Sequence, residues 1–483
     1  MEQVDVVVVG GRLAGCAVAA PLARAGRSVV VLDKMSFPSD QLSTHLLMPA
    51  GTSELAKLGA LPRILALNPS RVRYTQVEAE GIRCRERLRP ADDGIDYGVC
   101  IPRDLQDVQL VEAARDQGAD IREGCTVEDL IWRAGRVAGA RYRDSEGNHH
   151  DIGATLVVGA DGRRSTVAAM VGSWKPYRLS RNGRGLVFRY LDDPRSGTID
   201  AATYYQWREG DSFAFAFPTT PVGRILVLLM GHRDEVHDAR ADAEGYWQRK
   251  LAEHPGLARR IAGAAPGSKL RTTGETPAFF RASSGPGWAL AGDAGHFKDP
   301  VTGQGMRDAL WAGRTLAEQV LPLLDDAFAV DVATRAWEAE RDRECLPAYH
   351  FANADTRVER QSPALCELVR DAGRTTDADL TDLFGRARTP QEIAPLPRLA
   401  RATVAALRRG ERPRRETVAR AAGDLRTELE VRLERRADRF RTTRTVSGSD
   451  HPDAPWPAAP VRARPAPPAE HRAPDSELAE VAS

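Results

Sequence analysis

A glycine-rich turn and a later carboxylate have the spacing that suits a bound dinucleotide. The turn, G-G-R-L-A-G at residues 10–15, lies between the β-branched run Val6–Val9 and a small-residue stretch typical of a helix. Gly10 allows a tight turn, Gly15 allows close helix–strand packing, and the helix N-terminus offers free N–H groups to a pyrophosphate. Asp33 ends the next apolar run, where a carboxylate can bind the ribose hydroxyls of an adenosine.

Two further glycine motifs each follow a predicted buried strand. The segment G-A-D-G-R-R-S begins at Gly159 and comes directly after Val157–Val158. The segment W-A-L-A-G-D-A-G-H ends at His296, and P-V-T-G-Q-G-M then opens a predicted helix from Pro300. The positive end of that helix can face a developing anion. One motif alone could be an ordinary turn, but three in this order predict a single nucleotide cofactor site.

This order of motifs resembles the flavin-dependent monooxygenases of the para-hydroxybenzoate hydroxylase type, which share their fold with geranylgeranyl reductases and flavin-dependent halogenases. The resemblance covers about residues 1–350 and is strongest at the three motifs. It implies that FAD is the cofactor and NAD(P)H the reductant. It also implies a set of cofactor-binding residues: Gly10, Gly11, Gly15 and Asp33 at the ADP half; Asp161 and Gly162 near the pyrophosphate; Gly292 and Asp293 at the ribityl or ribose region; Pro300, Gly303 and Gly305 along the isoalloxazine ring; and Arg103 beside the flavin.

His45 is the candidate catalytic residue, because Ser43-Thr44-His45 falls where related enzymes place residues near the flavin ring. A structural histidine is the alternative. Arg12 stands where a second glycine is expected, which leaves the close approach of a pyrophosphate open. The halogenase signature W-x-W-x-I-P is absent, so halogenation is not expected. The nearest stretch, Phe213–Pro218, resembles instead the aromatic-x-Phe-Pro strand of the isoprenoid reductases.

Other motifs narrow the class of protein. The sequence has no G-x-S-x-G, H-E-x-x-H or G-x-x-x-x-G-K-[ST] segment, so hydrolase and NTPase activities are not indicated. His149 and His150 fall in a predicted hairpin turn, and no metal site is predicted. Phe213, Phe215 and Phe217 lie two apart on one strand face, as plain core or as the wall of an apolar substrate pocket.

The elements that must position these residues are mixed α/β. The first 32 residues predict a βαβ unit of the doubly wound kind, and alternating stretches between 185 and 229 predict an antiparallel sheet. We predict a discontinuous Rossmann-like FAD-binding domain, a second domain on a mixed or antiparallel β-sheet that binds the substrate, and C-terminal helices. The predicted boundaries are 1–71, 99–178 and 278–328 for the FAD-binding domain, 72–98 and 179–277 for the substrate domain, 329–441 for the helical region, and 442–483 for a disordered tail.

The predicted tail and the region before it differ in composition from the rest. From Thr442 to Ser483 there are eight prolines in 42 residues, which predicts a segment unable to bury enough apolar surface to offset its ordering entropy. The region 401–444 is rich in arginine, and its Leu425, Leu429 and Leu433 mark one stripe of an amphipathic helix. That helix has either a solvated face or a contact face for a partner, an anionic membrane or a nucleic acid.

Charge and cysteine content exclude several further classes. With 68 Lys and Arg against 67 Asp and Glu, the whole chain is not expected to bind nucleic acid. The six cysteines are never closer than 16 positions, which excludes C-x-x-C pairs and suits a reducing compartment. No apolar run approaches the ~18 residues that span a bilayer, and Met1–Asp5 leads directly into a predicted strand without room for a signal peptide. We expect a cytoplasmic protein with no transmembrane segment.

Together these features predict an FAD-dependent, NAD(P)H-consuming monooxygenase, a hydroxylase or epoxidase, in secondary metabolism. Its partners would be O₂ and an apolar, aromatic or polycyclic small molecule. The flavin carries the chemistry while the protein orients the substrate and excludes water, so no dedicated acid or base is required. A flavin-dependent reductase of C=C bonds and a non-catalytic flavin-binding partner remain open alternatives. Reduction on this chain and reduction by a separate flavin reductase are both open as well.

Overall fold

The computed structural model describes residues 1–40, 43, 45–239, 241–274, 276–372, 374, 379–436, 446, 449–462 and 464. Its strands are β1 (Glu2–Val9), β2 (Val29–Asp33), β3 (Leu46–Leu47), β4 (Arg71–Val72), β5 (Tyr74–Ala79), β6 (Ile82–Arg87), β7 (Gly98–Cys100), β8 (Asp120–Glu123), β9 (Thr126–Arg133), β10 (Arg136–Arg143), β11 (His149–Gly159), β12 (Arg178–Ser180), β13 (Arg184–Asp192), β14 (Thr203–Glu209), β15 (Ser212–Thr219), β16 (Arg224–His232), β17 (Arg271–Thr273), β18 (Ala278–Phe280), β19 (Ser284–Gly285), β20 (Trp288–Leu290) and β21 (His296–Phe297).

The helices cover the first sheet and make up most of the C-terminal region. They are α1 (Leu13–Arg24), α2 (Pro49–Lys57), α3 (Leu61–Ala66), α4 (Arg103–Asp116), α5 (Thr166–Met170), α6 (Arg233–Asp238), α7 (Ala243–Ala252), α8 (Pro255–Arg260), α9 (Gly305–Val320), α10 (Ala327–Asp355), α11 (Pro363–Ala372), α12 (Asp379–Gly385), α13 (Pro390–Ile393), α14 (Leu396–Arg409) and α15 (Arg414–Arg436). Within the described part of the chain, none of them has the length and apolar character needed to cross a bilayer.

The first sheet is doubly wound, as the βαβ pattern predicts. Its strand order is β19-β20-β11-β1-β2-β8, and β1 runs parallel to both β11 and β2. Alternate residues of β1 point to opposite faces, so Val6 and Val8 pack with α1 and α9 while Val7 and Val9 pack against β9 and β10. Burial on both faces explains why this strand is a continuous valine run.

The second sheet has seven strands in the order β17-β13-β16-β15-β14-β5-β6. Its pairs are antiparallel except for β5 and β14, which are parallel, so the sheet is mixed as expected. The even-numbered positions of β14 face one apolar cluster and the odd-numbered positions another. Two small three-stranded sheets, β12-β18-β21 and β3-β7-β4, complete the strand pairing.

Strand β11 is longer than the sequence suggests. The pattern indicates a meander strand after Asn148 and a separate buried strand at Thr155–Gly159, whereas one strand runs from His149 to Gly159. Its first half pairs with the hairpin strand β10 and its second half with β20, while β1 pairs along most of it. The change of neighbours along one strand therefore produces the change in sequence pattern.

Part of the predicted disordered tail is packed against the body of the protein. The Trp456 indole lies 5.0 Å from the Phe279 ring, centroid to centroid, and the Trp174 indole N–H donates to the Pro457 carbonyl at 2.9 Å. Asp450 and Val446 are also held close to the body, Asp450 through an ion pair with buried Arg178. The prediction of disorder does not describe 446 and 449–462, because a few large or charged side chains anchor a stretch of otherwise poor apolar content. The remainder of 442–483, apart from residue 464, lies outside the described residues.

The leucine stripe on α15 faces outwards. Leu425, Leu429 and Leu433 are 42–51% exposed, while Val431 on another face of the helix is buried. The amphipathic character expected for this region is thus present, but the stripe is not part of the core.

Candidate functional site

The three glycine motifs converge on one cavity of about 470 Å³ beside the first sheet. The first motif follows β1, the second follows β11 and the third follows β20, and these three strands are neighbours and parallel. Their carboxyl ends therefore lie together, where ligands bind in doubly wound folds. Most of the residues predicted to bind the cofactor form part of the wall: Gly10, Asp33, Arg103, Asp161, Gly162, Asp293, Pro300, Gly303 and Gly305.

The turn into α1 is shaped by its glycines. Gly10 has a φ of 103°, a value that favours glycine. Gly15 lies so close to the turn that a Cβ there would be 1.8 Å from the Gly10 carbonyl oxygen. No side chain caps the N-terminus of α1, whose first residues line the cavity, so its free N–H groups can bind an anion.

Asp33 fixes the turn and lines the cavity at the same time. One carboxylate oxygen accepts a hydrogen bond from the Gly11 N–H at 2.6 Å, and the other accepts from the Met35 N–H at 2.8 Å. Gly11 thus contributes to the site by holding the Asp33 carboxylate in place. Gly292 likewise contributes indirectly. It lets the third motif pack closely against α1, because a Cβ there would be 2.7 Å from the Ala14 methyl group.

Arg12 does not close the site, although it replaces the usual glycine. Its guanidinium is held by Asp107 of α4 at 2.6 Å. The same fully buried carboxylate also binds Arg103, with N–O distances of 2.7 and 2.9 Å. Two cations share one anion, so this wall of the cavity carries surplus positive charge.

The second motif contributes a carboxylate and an open turn. One oxygen of Asp161 accepts hydrogen bonds from the Thr166 N–H at 2.6 Å and its hydroxyl at 2.8 Å, which fixes the start of α5. The other Asp161 oxygen is buried and has no partner among the described residues. A Cβ at Gly162, whose φ is 79°, would meet open space. A polar ligand can therefore complete this part of the wall.

The third motif forms a turn and a second uncapped helix. Asp293 is half-buried at the cavity wall, and burial raises the pKa of its carboxyl group. Gly303 has a φ of 64°, and a Cβ at Gly303 or Gly305 would point into open space. Helix α9 begins at Gly305 without a side-chain cap, so its positive end is free to face the cavity.

A buried ion cluster holds this loop to α9. Asp308 in the first turn of the helix binds Lys298, Arg307 and Arg386. His296 and Cys345 also lie close to Asp308, with donor atoms within 4.8 Å of one another. The three cations hold the pKa of Asp308 well below its usual range and compete with any metal ion for that carboxylate.

His45 lies behind the wall of the cavity. Its ring is 1% exposed, stacks on the Tyr190 ring at 6.1 Å, and has no hydrogen-bond partner for either nitrogen in the described part of the chain. Burial lowers its pKa to about 3, with a further contribution from Arg103, so the ring is neutral at physiological pH. Its φ of 60° is unusual for a residue with a side chain. A catalytic role for His45 stays a prediction.

An apolar pocket adjoins the loop that begins at Pro300. It measures only about 20 Å³, little more than the space of one water molecule. Its walls come from one face of the second sheet and from the loop: Leu46, Leu186, Tyr204, Phe215, Phe217, Leu228, Met230, Pro300, Val301 and Gly303. Two of the three phenylalanines noted in the sequence thus line a pocket, while Phe213 packs beneath Arg208 at 4.4 Å.

Arg281 is a residue that the sequence analysis missed. It is fully buried and donates to the carbonyls of Arg163 and Ala294, at 3.0 Å each, thereby joining the second and third motifs. The Trp174 and Trp456 rings lie 4.5 and 5.2 Å from its guanidinium. Its sequence neighbours gave no motif signal, because its partners come from four separate segments.

Comparison with known proteins agrees with this geometry. Residues 3–325 match the family described as FAD binding domain. The chain is 27% identical over 333 residues to the menaquinone reductase of Mycolicibacterium smegmatis, covering 65% of this chain and 76% of that protein. It is 25% identical over 328 residues to squalene monooxygenase SE2 of Panax ginseng, covering 66% and 58%. The structure of a myxobacterial chondrochloren halogenase superposes with a TM-score of 0.67 at 20% identity, covering 86% and 99%, which supports the fold.

The residues present fit FAD. The unpartnered Asp161 oxygen, the two uncapped helix starts and the open space at Gly303 and Gly305 are the features that a polar, anionic and partly planar ligand would complete. The wall also carries more cations than anions: Arg12, Lys34, Arg103, Arg163, Arg164 and Lys298 against Asp33, Asp161 and Asp293. This surplus suits a pyrophosphate.

Proposed function

Because the chain belongs to the FAD binding domain family, we propose that it is an FAD-dependent, NAD(P)H-consuming monooxygenase acting on an apolar small molecule. The observation that carries the proposal is the apolar pocket beside Pro300–Gly303, which has no charged side chain in its wall. A substrate whose reacting end enters this pocket would be selected by shape and apolar contact. Oxygen transfer to an electron-rich carbon needs no protein acid or base, and the described wall of this pocket holds one ionisable group, the phenol of Tyr204.

We assign the binding of FAD to the twelve residues predicted from the sequence. Gly10, Gly11, Gly15 and Asp33 would position the ADP half, Asp161 and Gly162 would lie near the pyrophosphate, and Arg103 beside the flavin. Bound FAD supplies the redox and oxygen chemistry. The start of α9 would stabilise negative charge on the reduced ring, and the buried sheet face would keep water from the reacting atoms.

The separation of cofactor binding from substrate binding supports the proposed domain boundaries. Segments 1–71, 99–178 and 278–328 would form the FAD-binding domain, while 72–98 and 179–277 would supply the substrate-binding sheet. The two meet at Pro300 and Gly303, which line both the cofactor cavity and the apolar pocket. His45 would act from behind Leu46 as a neutral positioning group.

A second candidate is a flavin-dependent reductase of C=C bonds, which the menaquinone reductase relative favours. The two candidates use the same cofactor and the same apolar pocket. They differ in their need for O₂, because a reductase transfers hydride and proton to the substrate while an oxygenase consumes oxygen.

The experiment supplies purified FAD-loaded protein and NAD(P)H with a panel of terpenoid alkenes and polycyclic aromatics, in air and under argon. The proposal predicts that a substrate is consumed in air and left unchanged under argon. Consumption under argon with a gain of two hydrogens would establish the reductase instead. Asp293→Ala serves as the control, since loss of FAD should abolish either activity.

A further inference from the structure

A chamber separate from the cofactor cavity and larger than the apolar pocket lies under the C-terminal helices. It measures about 250 Å³ and is walled by α10, α11, α12, α14 and α15 on one side and by the second sheet on the other. Its apolar wall is formed mainly by Leu365, Leu368, Leu380, Leu383, Ile393 and Leu399. Nothing in the proposed binding of FAD or oxygen transfer uses this chamber.

The chamber and the pocket at the flavin loop share one floor. Tyr204 of β14 lines the pocket, and Gln206 and Arg208, the next side chains on the same strand face, line the chamber. Val77 of the neighbouring strand β5 also lines the chamber, and it belongs to the same apolar cluster as Tyr204. Apolar side chains therefore extend from the pocket to the chamber through Tyr204 and Val77, while Gln206 and Arg208 make the chamber floor partly polar.

Two aromatic rings in contact lie at the boundary of the two spaces, one lining each. Phe384 of α12 packs edge-on against Tyr204, with 5.6 Å between ring centroids. Helix α12 is also joined to the flavin loop, because the Gln304 side-chain amide donates to the Leu383 carbonyl at 3.2 Å.

The volumes indicate why this boundary matters. The pocket at the loop holds about 20 Å³, too little for any organic substrate, whereas the chamber behind the ring pair holds about 250 Å³. The chamber wall carries four arginines and five acidic residues, among which Arg208 pairs with Asp355, Arg398 with Asp379, and Arg420 with Glu359. These pairs leave little net charge to attract an ionic ligand.

We propose that this chamber receives the chain of an uncharged, elongated hydrocarbon substrate, whose reacting end lies past the Tyr204–Phe384 pair at Pro300–Gly303. The inference rests on the proposed function and narrows its substrate class. The C-terminal helices thus select for chain length.

Binding of chain-like probes tests this without turnover. Equilibrium dialysis of FAD-loaded protein uses ¹⁴C-labelled 1-octanol and 1-hexadecanol, delivered from methyl-β-cyclodextrin. We expect hexadecanol to bind at least about tenfold more tightly than octanol, since more apolar surface is buried. We also expect it to shift the flavin absorption spectrum, because its end reaches the flavin loop. Equal affinity for the two alcohols would overturn the proposal.

Substitutions then locate the chain. Leu368→Trp fills the chamber, and we expect hexadecanol affinity to fall at least about tenfold while FAD content stays the same. Leu399→Phe fills it more gently and replaces Leu368→Trp if that variant folds poorly. Leu429→Trp, on the exposed face of α15, is the matched control and should change nothing. Equal effects of the chamber and control variants would show that the chain binds elsewhere. Chain-length selectivity that persists in a protein without oxygenase activity would leave this inference standing and refute the proposed function alone.

Discussion

At the scale of single residues, Asp293 faces the proposed FAD site with a carboxylate that burial disfavours. Burial raises its pKa, so the charged form costs folding free energy at neutral pH in the protein without cofactor. We expect Asp293→Asn to weaken FAD binding about 10- to 100-fold, because a charged hydrogen bond contributes roughly 1.5–3 kcal/mol. The melting temperature of the apoprotein should stay the same or rise. Flavin fluorescence titration and thermal unfolding measure the two effects, and a large fall in apoprotein stability would assign Asp293 to the fold.

A substitution at Gly305 distinguishes an effect on cofactor binding from an effect on folding. A side chain there meets open cavity, and its backbone is helical, so Gly305→Val should change the free energy of unfolding of the apoprotein by less than about 1 kcal/mol. The valine would occupy volume assigned to the isoalloxazine ring, so FAD retention should be lost or the flavin spectrum shifted. Gly423→Val, in an exposed helix with the same open surroundings, is the control. A normal flavin spectrum and reduction rate in Gly305→Val would remove residues 303–305 from the cofactor site.

Asp299 predicts a pH dependence of stability. It caps the turn at Pro300 and accepts hydrogen bonds from the Val301 N–H, Thr276 and Asn182, yet burial raises its pKa to about 7. The folded protein therefore keeps this proton between about pH 4 and pH 7, while the unfolded chain, with a pKa of about 3.9, releases it. The free energy of unfolding should fall as pH rises through that window and level off above it. In Asp299→Asn this component should be absent; parallel pH profiles for the two proteins, from urea unfolding, would contradict the assignment.

At the scale of elements, the C-terminal segment 449–462 covers Arg281, which joins the second and third motif loops. We expect Trp456→Ala to lower the free energy of unfolding by about 2 kcal/mol, below the 3–5 kcal/mol of a fully buried ring because Trp456 is half-buried. FAD should also dissociate faster, since the loops lose their support. Phe328→Ala, at a ring that is 74% exposed, is the control in denaturant unfolding and FAD release. Indistinguishable results for the two variants would mean that the segment does not support the site.

The same element shows what the sequence could and could not predict. Each motif loop follows a buried strand and contains glycines at characteristic positions, so local pattern predicts its position. The docking of Trp456 and Asp450 depends on a few contacts with distant residues, among them Arg281 and Arg178, more than 170 positions earlier in the chain. Proline-rich composition describes the average of a segment, and isolated anchors do not change that average. The ion pair between Arg12 and Asp107 could not be predicted for the same reason, because Asp107 lies on another helix.

At the scale of the whole molecule, the chain forms three layers, and each layer borders a different part of the proposed site. The doubly wound sheet presents the cofactor cavity, the seven-stranded sheet provides the apolar floor, and the C-terminal helices close the chamber beyond Phe384. The first two layers follow from motif order and strand alternation. The third could not be predicted, because amphipathic helices indicate that a face is buried without indicating what space remains beneath it.

The most direct measurement of the central claim is the origin of oxygen in the product. FAD-loaded protein, NAD(P)H and a substrate found in the panel are incubated under ¹⁸O₂ in ordinary water, and the product is analysed by mass spectrometry. The account predicts one ¹⁸O atom in each product molecule, and none when ¹⁶O₂ is used with H₂¹⁸O. A product that contains no labelled oxygen but two added hydrogens would contradict the monooxygenase and identify the reductase.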